Sequence, residues 1–279
     1  MSPSLPMQKQ HHPLRVCVAG ATGRVGGALV RAIMDAEGLL LVGAVARRSH
    51  GQRLAPLLND ARLDATFHGT VAEALATPTD VLIDYTKPDV VKDNVLTAVE
   101  KGVHVVIGTS GLTEEDYRDI HLAALAKKVG VFAAGNFALT AVLMQHFAVI
   151  AARHVPQWEI IDYGHAEKVD APSGTARELA HRLAGVGRPN AGHPVEATVG
   201  IKEARGGTVE GSQVHSIRSP GYLGGAEVVF GLPGERLSLR YDTVDGAIPF
   251  VAGTLLAVRA VSSLCGLVRG LDQLLDLDG

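Results

Sequence analysis

Apolar positions along the first half of the chain follow two alternating spacings. The short apolar runs Leu14 to Ala19 and Leu39 to Val45 predict strands, and the segment between them, Gly27 to Asp35, has the spacing of a helix. Further strands are predicted at 80–86, 104–111 and 129–135, and further helices at 88–101 and 113–128. Strands that alternate with helices predict an α/β fold with a Rossmann-like, doubly wound parallel sheet.

The pattern changes after residue 137. A long apolar helix is predicted at 138–152, and strand-like runs follow at 158–163, 195–203, 213–218, 226–230 and 236–242. Their β-branched residues, separated by Gly and Pro, favour a mixed or antiparallel sheet. A helix predicted at 249–263 is expected to return to the first domain.

Three regions and a leader are therefore predicted. A dinucleotide-binding domain spans 1–137, an inserted α+β substrate-binding and oligomerisation domain with a mixed sheet spans 138–247, and a C-terminal helix at 248–279 returns to the dinucleotide-binding domain. The polar start, 1–13, has no apolar signal core and is expected to be a disordered leader.

Composition narrows the class of protein. Hydrophobic residues make up 47% and charged residues 20% of the 279 positions, with a formal net charge of −3. These values are typical of a soluble globular protein, with no basic patch for nucleic acid and no apolar run long enough for a membrane span. Two cysteines favour a reducing cytoplasm, and the 12 histidines show no zinc-site spacing, so no metal is predicted.

A glycine-rich loop, Gly20-Ala-Thr-Gly23-Arg-Val-Gly26, follows the first strand and precedes the first helix. Glycines allow backbone to approach a pyrophosphate closely, and the helix N-terminus favours anions. The spacing GxxGxxG is a variant of the commoner fingerprint, and a glycine-rich turn can also be only a turn. The predicted cofactor contacts in this loop are Gly20, Thr22, Gly23, Arg24, Val25 and Gly26.

The end of the second strand predicts which nicotinamide cofactor binds. An acidic residue commonly holds the ribose hydroxyls of NAD at this position, whereas this chain has Arg47 and Arg48. Two guanidinium groups suit the 2′-phosphate of NADPH, so NADPH is expected to be preferred and NADH to be possible. The alternative is that both arginines are solvated loop charges.

Polar residues and glycines follow the later strands of the first half. Ligands bind at the carboxyl ends of parallel strands, so these positions are expected to line one sheet edge, although each could serve turn formation alone. They are Tyr85, Thr86, Gly108, Thr109, Ser110, Gly135, Asn136 and Phe137.

The segment Lys168-Val-Asp-Ala-Pro-Ser-Gly-Thr175 predicts an anion site in the second half. A helix is predicted to begin just after it, and free N–H groups at a helix start attract a carboxylate or phosphate. Ser173 and Thr175 add hydroxyl donors, and Lys168 adds a charge and a candidate proton donor. The alternative is an ordinary helix start in which Thr175 and Glu178 form a capping box.

These motifs together resemble the 4-hydroxy-tetrahydrodipicolinate reductases, also called dihydrodipicolinate reductases, of lysine and diaminopimelate biosynthesis. The likeness runs from about Leu14 to the C-terminus. The most specific match is Lys168 to Thr175, which is similar to the family signature Lys-x-Asp-Ala-Pro-Ser-Gly-Thr. Further matches are Ile83 to Thr86, Gly108 to Gly111, Asn136-Phe137, Val229 to Leu237 and Phe250 to Gly253.

The resemblance implies NAD(P)H-dependent reduction of a small cyclic imine dicarboxylate in the cytoplasm, by a homotetramer built through substrate-domain sheets. Lys168 matches the lysine that helps to protonate the substrate, and His165 matches the second histidine of a His-His pair. Ser173, Gly174 and Thr175 match residues that hold a substrate carboxylate, with Ser110 near the other end of the substrate. Gly108, Gly135 and Phe137 match nicotinamide neighbours.

Two departures from the family pattern lie on the substrate side. Gly164 stands where the family has the first histidine of the pair, commonly assigned as proton donor, and Ala247 stands where it commonly has arginine. Two alternatives therefore stay open: a paralogous reductase of a different imine acid, and a non-catalytic NADPH-binding protein.

Overall fold

The structure, a computed structural model, describes residues 12–190 and 192–277 and divides the chain into two compact units. The first unit extends to Ala133 and includes Leu255–Val268, and the second comprises Ala134–Thr254 and the residues from Arg269 onward. Positions 1–11, most of the predicted leader, lie outside the described residues. The functional boundaries predicted at 137 and 247 stay predictions.

The first unit is built on one sheet. Its strands are β1 (Leu14–Ala19), β2 (Leu39–Val45), β3 (Val81–Asp84), β4 (His104–Ile107), β5 (Gly130–Ala133) and β11 (Gly266–Arg269), whose last residue belongs to the second unit. The strand order is β11-β5-β4-β3-β1-β2, and the pairs formed among β1 to β5 are parallel. The predicted Rossmann-like sheet is confirmed.

Helices connect these strands. They are α1 (Arg24–Asp35), α2 (Leu54–Leu58), α3 (Val71–Ala74), α4 (Val91–Glu100) and α5 (Glu114–Lys127). The central strands are mostly apolar because both faces of a parallel sheet are covered. Val16, Val18 and Ile83 have no exposed surface. Cys17 is equally buried, and this burial raises the pKa of its thiol to about 12.

The second unit contains a mixed sheet, as predicted. Its elements are α6 (Leu139–Ala152), β6 (Trp158–Gly164), α7 (Gly174–Ala184), β7 (Gly207–Val209), β8 (Ser212–Arg218), β9 (Gly224–Leu232), β10 (Glu235–Thr243) and the first residues of α8 (Pro249–Ala260). The order is β10-β9-β6-β8-β7, in which β6 and β8 are parallel and the other pairs antiparallel.

One face of this second sheet packs against helices. Trp158, Ile160, Val228 and Phe230 on that face form a core with α6 and α7. Strand β6 shows the expected alternation, since Trp158 and Ile160 are buried while Glu159 and Ile161 are partly exposed. Helix α7 buries Ala176, Leu179, Ala180 and Leu183, the spacing of a helix with one apolar face.

The strand predicted at 195–203 is wrong. Short 3₁₀ turns occupy Val195–Ala197 and Lys202–Arg205, and Gly200 between them has a positive φ of 101°. Val199 is 99% exposed and Ile201 73%, so the β-branched residues have no sheet to pack on.

Two short strands escaped the sequence pattern. Strand β7 pairs with β8, and β11 adds an edge to the first sheet. Strand β7 has no buried residue and β11 has only one, so neither carries the buried apolar run that identified the equally short β3, β4 and β5. The predicted C-terminal helix ends as a 3₁₀ turn at Val261–Ser263, so the segment returns to the first unit as a helix and then a strand.

Candidate active site

The carboxyl ends of β1, β2 and β3 surround a cavity of about 800 Å³ in the first unit. Strand β2 lies on one side of β1 and β3 on the other. The order in which the chain adds strands to the sheet therefore changes direction at β1. Such a switch point is where open α/β sheets bind ligands. Seven of the predicted cofactor residues line this cavity: Gly20, Thr22, Gly23, Arg47, Arg48, Tyr85 and Thr86.

Glycines make the loop after β1 possible. Gly20 has a positive φ of 81°, and a Cβ atom there would lie 2.1 Å from the carbonyl oxygen of Tyr85. A Cβ atom on Gly26 would lie 2.1 Å from the carbonyl oxygen of Gly20. The loop can therefore pass close to β3 and to the first turn of α1, where Arg24 and Val25 present helix N-terminal N–H groups.

The cavity lining also includes residues that the sequence analysis did not identify as cofactor contacts. They are Val45, Ala46, Gly69, Thr70, Val71, Lys87, Val90, Asp93 and Asn94. Thr70 is the N-cap of α3 and forms a capping box with Glu73. The spacing Thr-x-x-Glu in the sequence is typical of such a helix start. The exposed Arg47 and Arg48 lie on a 3₁₀ turn directly after β2, where a phosphate could reach both.

A buried carboxylate organises the edge formed by β3 and β4. Asp84 has no exposed surface and accepts hydrogen bonds from Thr86 Oγ1 at 2.6 Å, Thr109 Oγ1 at 2.7 Å and Asn94 Nδ2 at 2.8 Å. The backbone N–H of Thr86 donates to Thr109 Oγ1 at 2.7 Å. Sequence analysis selected Thr86 and Thr109 but missed the aspartate that holds them together.

Glycine is also required at the end of β4. A Cβ atom on Gly108 would overlap the Tyr85 ring, 2.1 Å from Cζ, so the ring lies directly against this backbone. Ser110, predicted as a substrate contact, is exposed.

In the second unit, helix α7 begins where the signature motif predicted a helix start. Ser173 is the N-cap, and its Oγ accepts the N–H of Ala176 at 3.3 Å. The capping box considered for Thr175 and Glu178 is wrong, because the helix begins one residue before Thr175. The exposed Gly174 and half-buried Thr175 therefore carry first-turn N–H groups suited to an anion.

The candidate cation precedes this helix start. Lys168 Nζ lies 2.7 Å from Asp170 Oδ1, and this hydrogen bond holds the pKa of the Asp170 carboxyl below its usual value. The N–H of Lys168 donates to the carbonyl oxygen of His165 at 3.0 Å, which closes a turn. The His165 side chain is exposed, and Lys168 retains 26% of its side-chain exposure.

The residues predicted at 135–137 belong to the second unit. Asn136 Nδ2 donates to Thr175 Oγ1 at 3.4 Å, and the buried Gln145 donates to the Thr175 carbonyl at the same distance. A Cβ atom on Gly135 would lie 3.2 Å from Glu178 Oε2. Phe137 is only 2% exposed.

Gly164 and Ala247, the two departures from the family pattern, have distinct local structures. Gly164 ends β6, and a Cβ atom there would lie 2.9 Å from Lys168 Cδ and 3.2 Å from Arg218 Cζ. Ala247 donates its N–H to Asp245 Oδ1 at 2.7 Å in the turn before α8. Gly164 thus contacts the candidate site within its own unit.

Two kinds of feature are absent from residues 12–190 and 192–277. No group of three or more His, Cys, Asp or Glu side chains is placed to hold a metal ion. No helix in these ranges combines the length and apolarity needed to cross a membrane.

Two family models match nearly the whole chain. The model for dihydrodipicolinate reductase, N-terminus, matches residues 14–137, and that for its C-terminus matches residues 140–275. A 4-hydroxy-tetrahydrodipicolinate reductase of Desulfitobacterium hafniense is 41% identical over 94% of this chain and 99% of its own length. One from Moorella thermoacetica is 40% identical over 94% of this chain and 98% of its own.

Solved structures agree with these relatives. A dipicolinate-bound dihydrodipicolinate reductase from Paenisporosarcina sp. TG-14 has a TM-score of 0.83 and 32% identity, over 94% of this chain and 100% of that one. An amine dehydrogenase from Mycobacterium smegmatis, at 17% identity and a TM-score of 0.64, shares the fold. The chain belongs to the dihydrodipicolinate reductase family.

Proposed function

We propose that this protein reduces 4-hydroxy-tetrahydrodipicolinate to tetrahydrodipicolinate, with NADPH as the preferred hydride donor. The observation that carries the proposal is the start of α7, where Gly174 and Thr175 present helix N-terminal N–H groups and Lys168 adds a cation from the same unit. This arrangement suits a small dicarboxylate, because the helix start and the ammonium group both favour negative charge.

The first unit fits a nicotinamide dinucleotide. The glycine loop packs closely against the backbone after β3 and against itself, an approach that a Cβ atom at Gly20 or Gly26 would block, and the cavity beside it is large enough for a cofactor. Gly20, Thr22 and Gly23 would hold the pyrophosphate, and Arg47 and Arg48 would hold the 2′-phosphate that distinguishes NADPH. The nicotinamide, when bound, supplies the hydride.

The second unit supplies binding and proton chemistry. Gly174 and Thr175 orient one carboxylate of the substrate, with the Ser173 N-cap fixing the helix start. In the net reaction hydride replaces the 4-hydroxyl group, which leaves as water, and one proton is taken up. Lys168 supplies that proton or stabilises the developing negative charge, and His165 contacts the substrate. These roles position the reacting group and supply an electrostatic field.

The proposal includes a homotetramer formed through the second sheet. The face of that sheet opposite α6 and α7 carries Ile161, Val229 and Ile217 among charged residues. On the same face the Arg240 guanidinium lies 4.4 Å from the Tyr163 ring centroid, and Tyr163 OH donates to Glu227 at 2.9 Å. Burial and this hydrogen bond raise the pKa of Tyr163 to about 12. The part-apolar, rigid face suits an isologous contact.

One assay tests the proposed reaction. Purified protein is mixed with NADPH and freshly generated 4-hydroxy-tetrahydrodipicolinate, and the loss of NADPH absorbance is followed. We expect turnover that requires both compounds, with tetrahydrodipicolinate identified as the product by mass spectrometry. Binding of NADPH without any turnover would favour a non-catalytic cofactor-binding protein instead.

A second candidate is a paralogous reductase of a different small imine acid. Gly164 and Ala247 favour it, because both replace side chains on the substrate side while the cofactor loop is intact. Measuring kcat/KM for 4-hydroxy-tetrahydrodipicolinate and for other small cyclic imine acids under the same assay separates the two reactions. A kcat/KM for another cyclic imine acid well above that for 4-hydroxy-tetrahydrodipicolinate would favour the paralogue.

A further inference from the structure

A buried ion pair lies directly behind the candidate substrate site. Asp162 on β6 has no exposed surface, and its Oδ2 atom accepts from Arg218 Nη2 at 2.7 Å and from Ser216 Oγ at 3.0 Å. The same oxygen accepts the N–H of Ser173, the N-cap of α7, at 2.9 Å. One carboxylate therefore connects two strands of the sheet to the helix start that is proposed to bind substrate.

Arg218 extends this connection to the lysine. Its Nη2 atom also donates to the carbonyl oxygen of Asp170 at 2.7 Å, and the carboxylate of Asp170 pairs with Lys168 Nζ. Its Nη1 atom donates to the carbonyl oxygen of Ile217 at 2.9 Å. The guanidinium thus contacts the segment between Lys168 and Ser173 directly at Asp170 and is linked to Ser173 through Asp162, with only 16% of the side chain exposed.

Gly164 provides the space for this guanidinium. Gly164 and Arg218 are register partners on the parallel strands β6 and β8. A Cβ atom on Gly164 would lie 3.2 Å from both Cζ and Nε of Arg218, and 2.9 Å from Lys168 Cδ. A side chain at 164 would therefore press on the arginine and the lysine together.

We infer that Arg218 is a positioning residue for the substrate site. It holds Lys168, through Asp170, and the start of α7, through Asp162, in one fixed arrangement, and Gly164 permits it to do so. The inference rests on the proposed function, since it concerns the same site.

Arg218→Lys is the variant that tests this role. Lysine keeps the positive charge beside Asp162 but has a single nitrogen. It cannot replace both Nη2, which donates to the Asp162 carboxylate and the Asp170 carbonyl, and Nη1, which donates to the carbonyl oxygens of Ile217 and Asp162. We expect the dissociation constant of dipicolinate, used as a probe, and the KM for 4-hydroxy-tetrahydrodipicolinate to rise by about 10–100-fold, because small misplacements of site groups weaken binding and catalysis strongly. The dissociation constant of NADPH should stay within about twofold, since the glycine loop belongs to the other unit.

Two further variants complete the experiment. Gly164→Ala is expected to raise the KM for the substrate by a smaller factor than Arg218→Lys. The added methyl group lies nearest to the Lys168 stem, which can shift more easily than the paired guanidinium. Arg182→Lys is the matched control: Arg182 is in the same unit, is 24% exposed, and pairs with Glu178 and Asp272. It should leave KM for the substrate unchanged.

The outcomes separate the inference from the proposed function. An Arg218→Lys variant with wild-type KM and wild-type dipicolinate affinity overturns the positioning role alone. Equal weakening of dipicolinate and NADPH binding together with a large fall in Tm also overturns it, because that pattern indicates general unfolding. A wild-type protein that binds NADPH but neither binds dipicolinate nor turns over substrate contradicts the proposed function, and the inference with it.

Discussion

Two adjacent glycines at the start of α1 have different structural requirements. A Cβ atom on Gly26 would lie 2.1 Å from the Gly20 carbonyl oxygen, whereas one on Gly27 would meet Leu58 Cδ2 at 3.4 Å, an ordinary contact. We therefore expect Gly26→Ala to abolish measurable NADPH binding and lower Tm. Gly27→Ala should keep NADPH binding and raise the free energy of unfolding by about 0.5–1 kcal/mol, the usual gain for alanine over glycine in a helix.

Calorimetric titration with NADPH and urea unfolding of both variants check this pair. The two substitutions add the same methyl group one residue apart, so each serves as the control for the other. Normal NADPH affinity in Gly26→Ala would show that the loop can shift and that the close approach to Gly20 is not required.

Lys168 is the side chain on which the proposed chemistry depends most. Lys168→Ala should remove most of the turnover, typically about 10²–10⁴-fold if the amine acts as a general acid. NADPH affinity should barely change, since Lys168 and the glycine loop belong to different units. Steady-state kinetics and NADPH titration measure the two effects.

An exposed lysine of the same unit, Lys202, provides the control for this substitution. Lys202→Ala is expected to keep wild-type turnover and NADPH affinity. Near wild-type turnover in Lys168→Ala would reduce Lys168 to a surface charge paired with Asp170, and weaker NADPH binding in that variant would indicate misfolding.

At the scale of elements, the 3₁₀ turn after β2 is expected to select the cofactor. Arg47 and Arg48 are exposed and line the cavity, so a phosphate bound between them stays partly hydrated. Replacing both with Gln should weaken NADPH by about tenfold or more, which corresponds to about 1.4 kcal/mol, and should leave NADH affinity unchanged. Titration calorimetry with both cofactors decides this, and NADPH binding should weaken as salt rises. Equal affinities for NADPH and NADH in the wild-type protein would contradict the preference.

The start of β4 introduces a pH-dependent contribution to stability. His104 is half-buried and its Nδ1 accepts the N–H of Gly130 at the start of β5, 2.8 Å away. Burial lowers the pKa of His104 below the ordinary value for histidine, so the folded state favours the neutral ring. The stabilisation is present above the unfolded pKa and is lost as pH falls below it, because the unfolded chain then binds more protons.

As pH is lowered from 6.5 to about 5, the free energy of unfolding should therefore fall less for His104→Gln than for the wild-type protein. Urea unfolding followed by circular dichroism at several pH values measures the difference. His154→Gln, a change at an exposed histidine, should keep the wild-type slope. Identical slopes for His104→Gln and wild type would contradict this account.

Sequence patterns predicted elements best where burial enforces one spacing. Strands β1 and β2 occur at the predicted residues, because both are largely apolar runs whose C-terminal residues are buried. The strand expected at 195–203 failed because β-propensity without a partner strand does not bury side chains. At α7 the motif predicted the helix start. It did not indicate that the N–H of the N-cap, Ser173, donates to Asp162, a residue eleven positions earlier.

At the scale of the whole molecule, sequence patterns could not predict the contacts between residues that are far apart in the chain. The family resemblance carried by the Lys168 to Thr175 motif is confirmed by the family models and relatives. The links of Asp84 to Thr109 and of Arg218 to Asp170 join residues far apart in sequence, and no local spacing indicates them. The roles assigned to individual site residues stay predictions until they are measured.

The last prediction concerns assembly through the second sheet. Val229 lies on the face opposite α6 and α7, with Glu159 directly across in β6. In a monomer, Val229→Lys is tolerable, because the position is partly exposed and the neighbouring Glu159, which already contacts Arg205 and His215, adds negative charge. In a tetramer built on this face, the same ammonium group would be buried in a contact and would cost several kcal/mol if left unpaired. We therefore expect Val229→Lys to lower the mass measured by sedimentation velocity from tetramer toward monomer or dimer, with circular dichroism unchanged. Leu122→Lys, at a 59% exposed position in the first unit, should leave the mass unchanged. A Val229→Lys variant that keeps the wild-type mass would place the subunit contacts elsewhere.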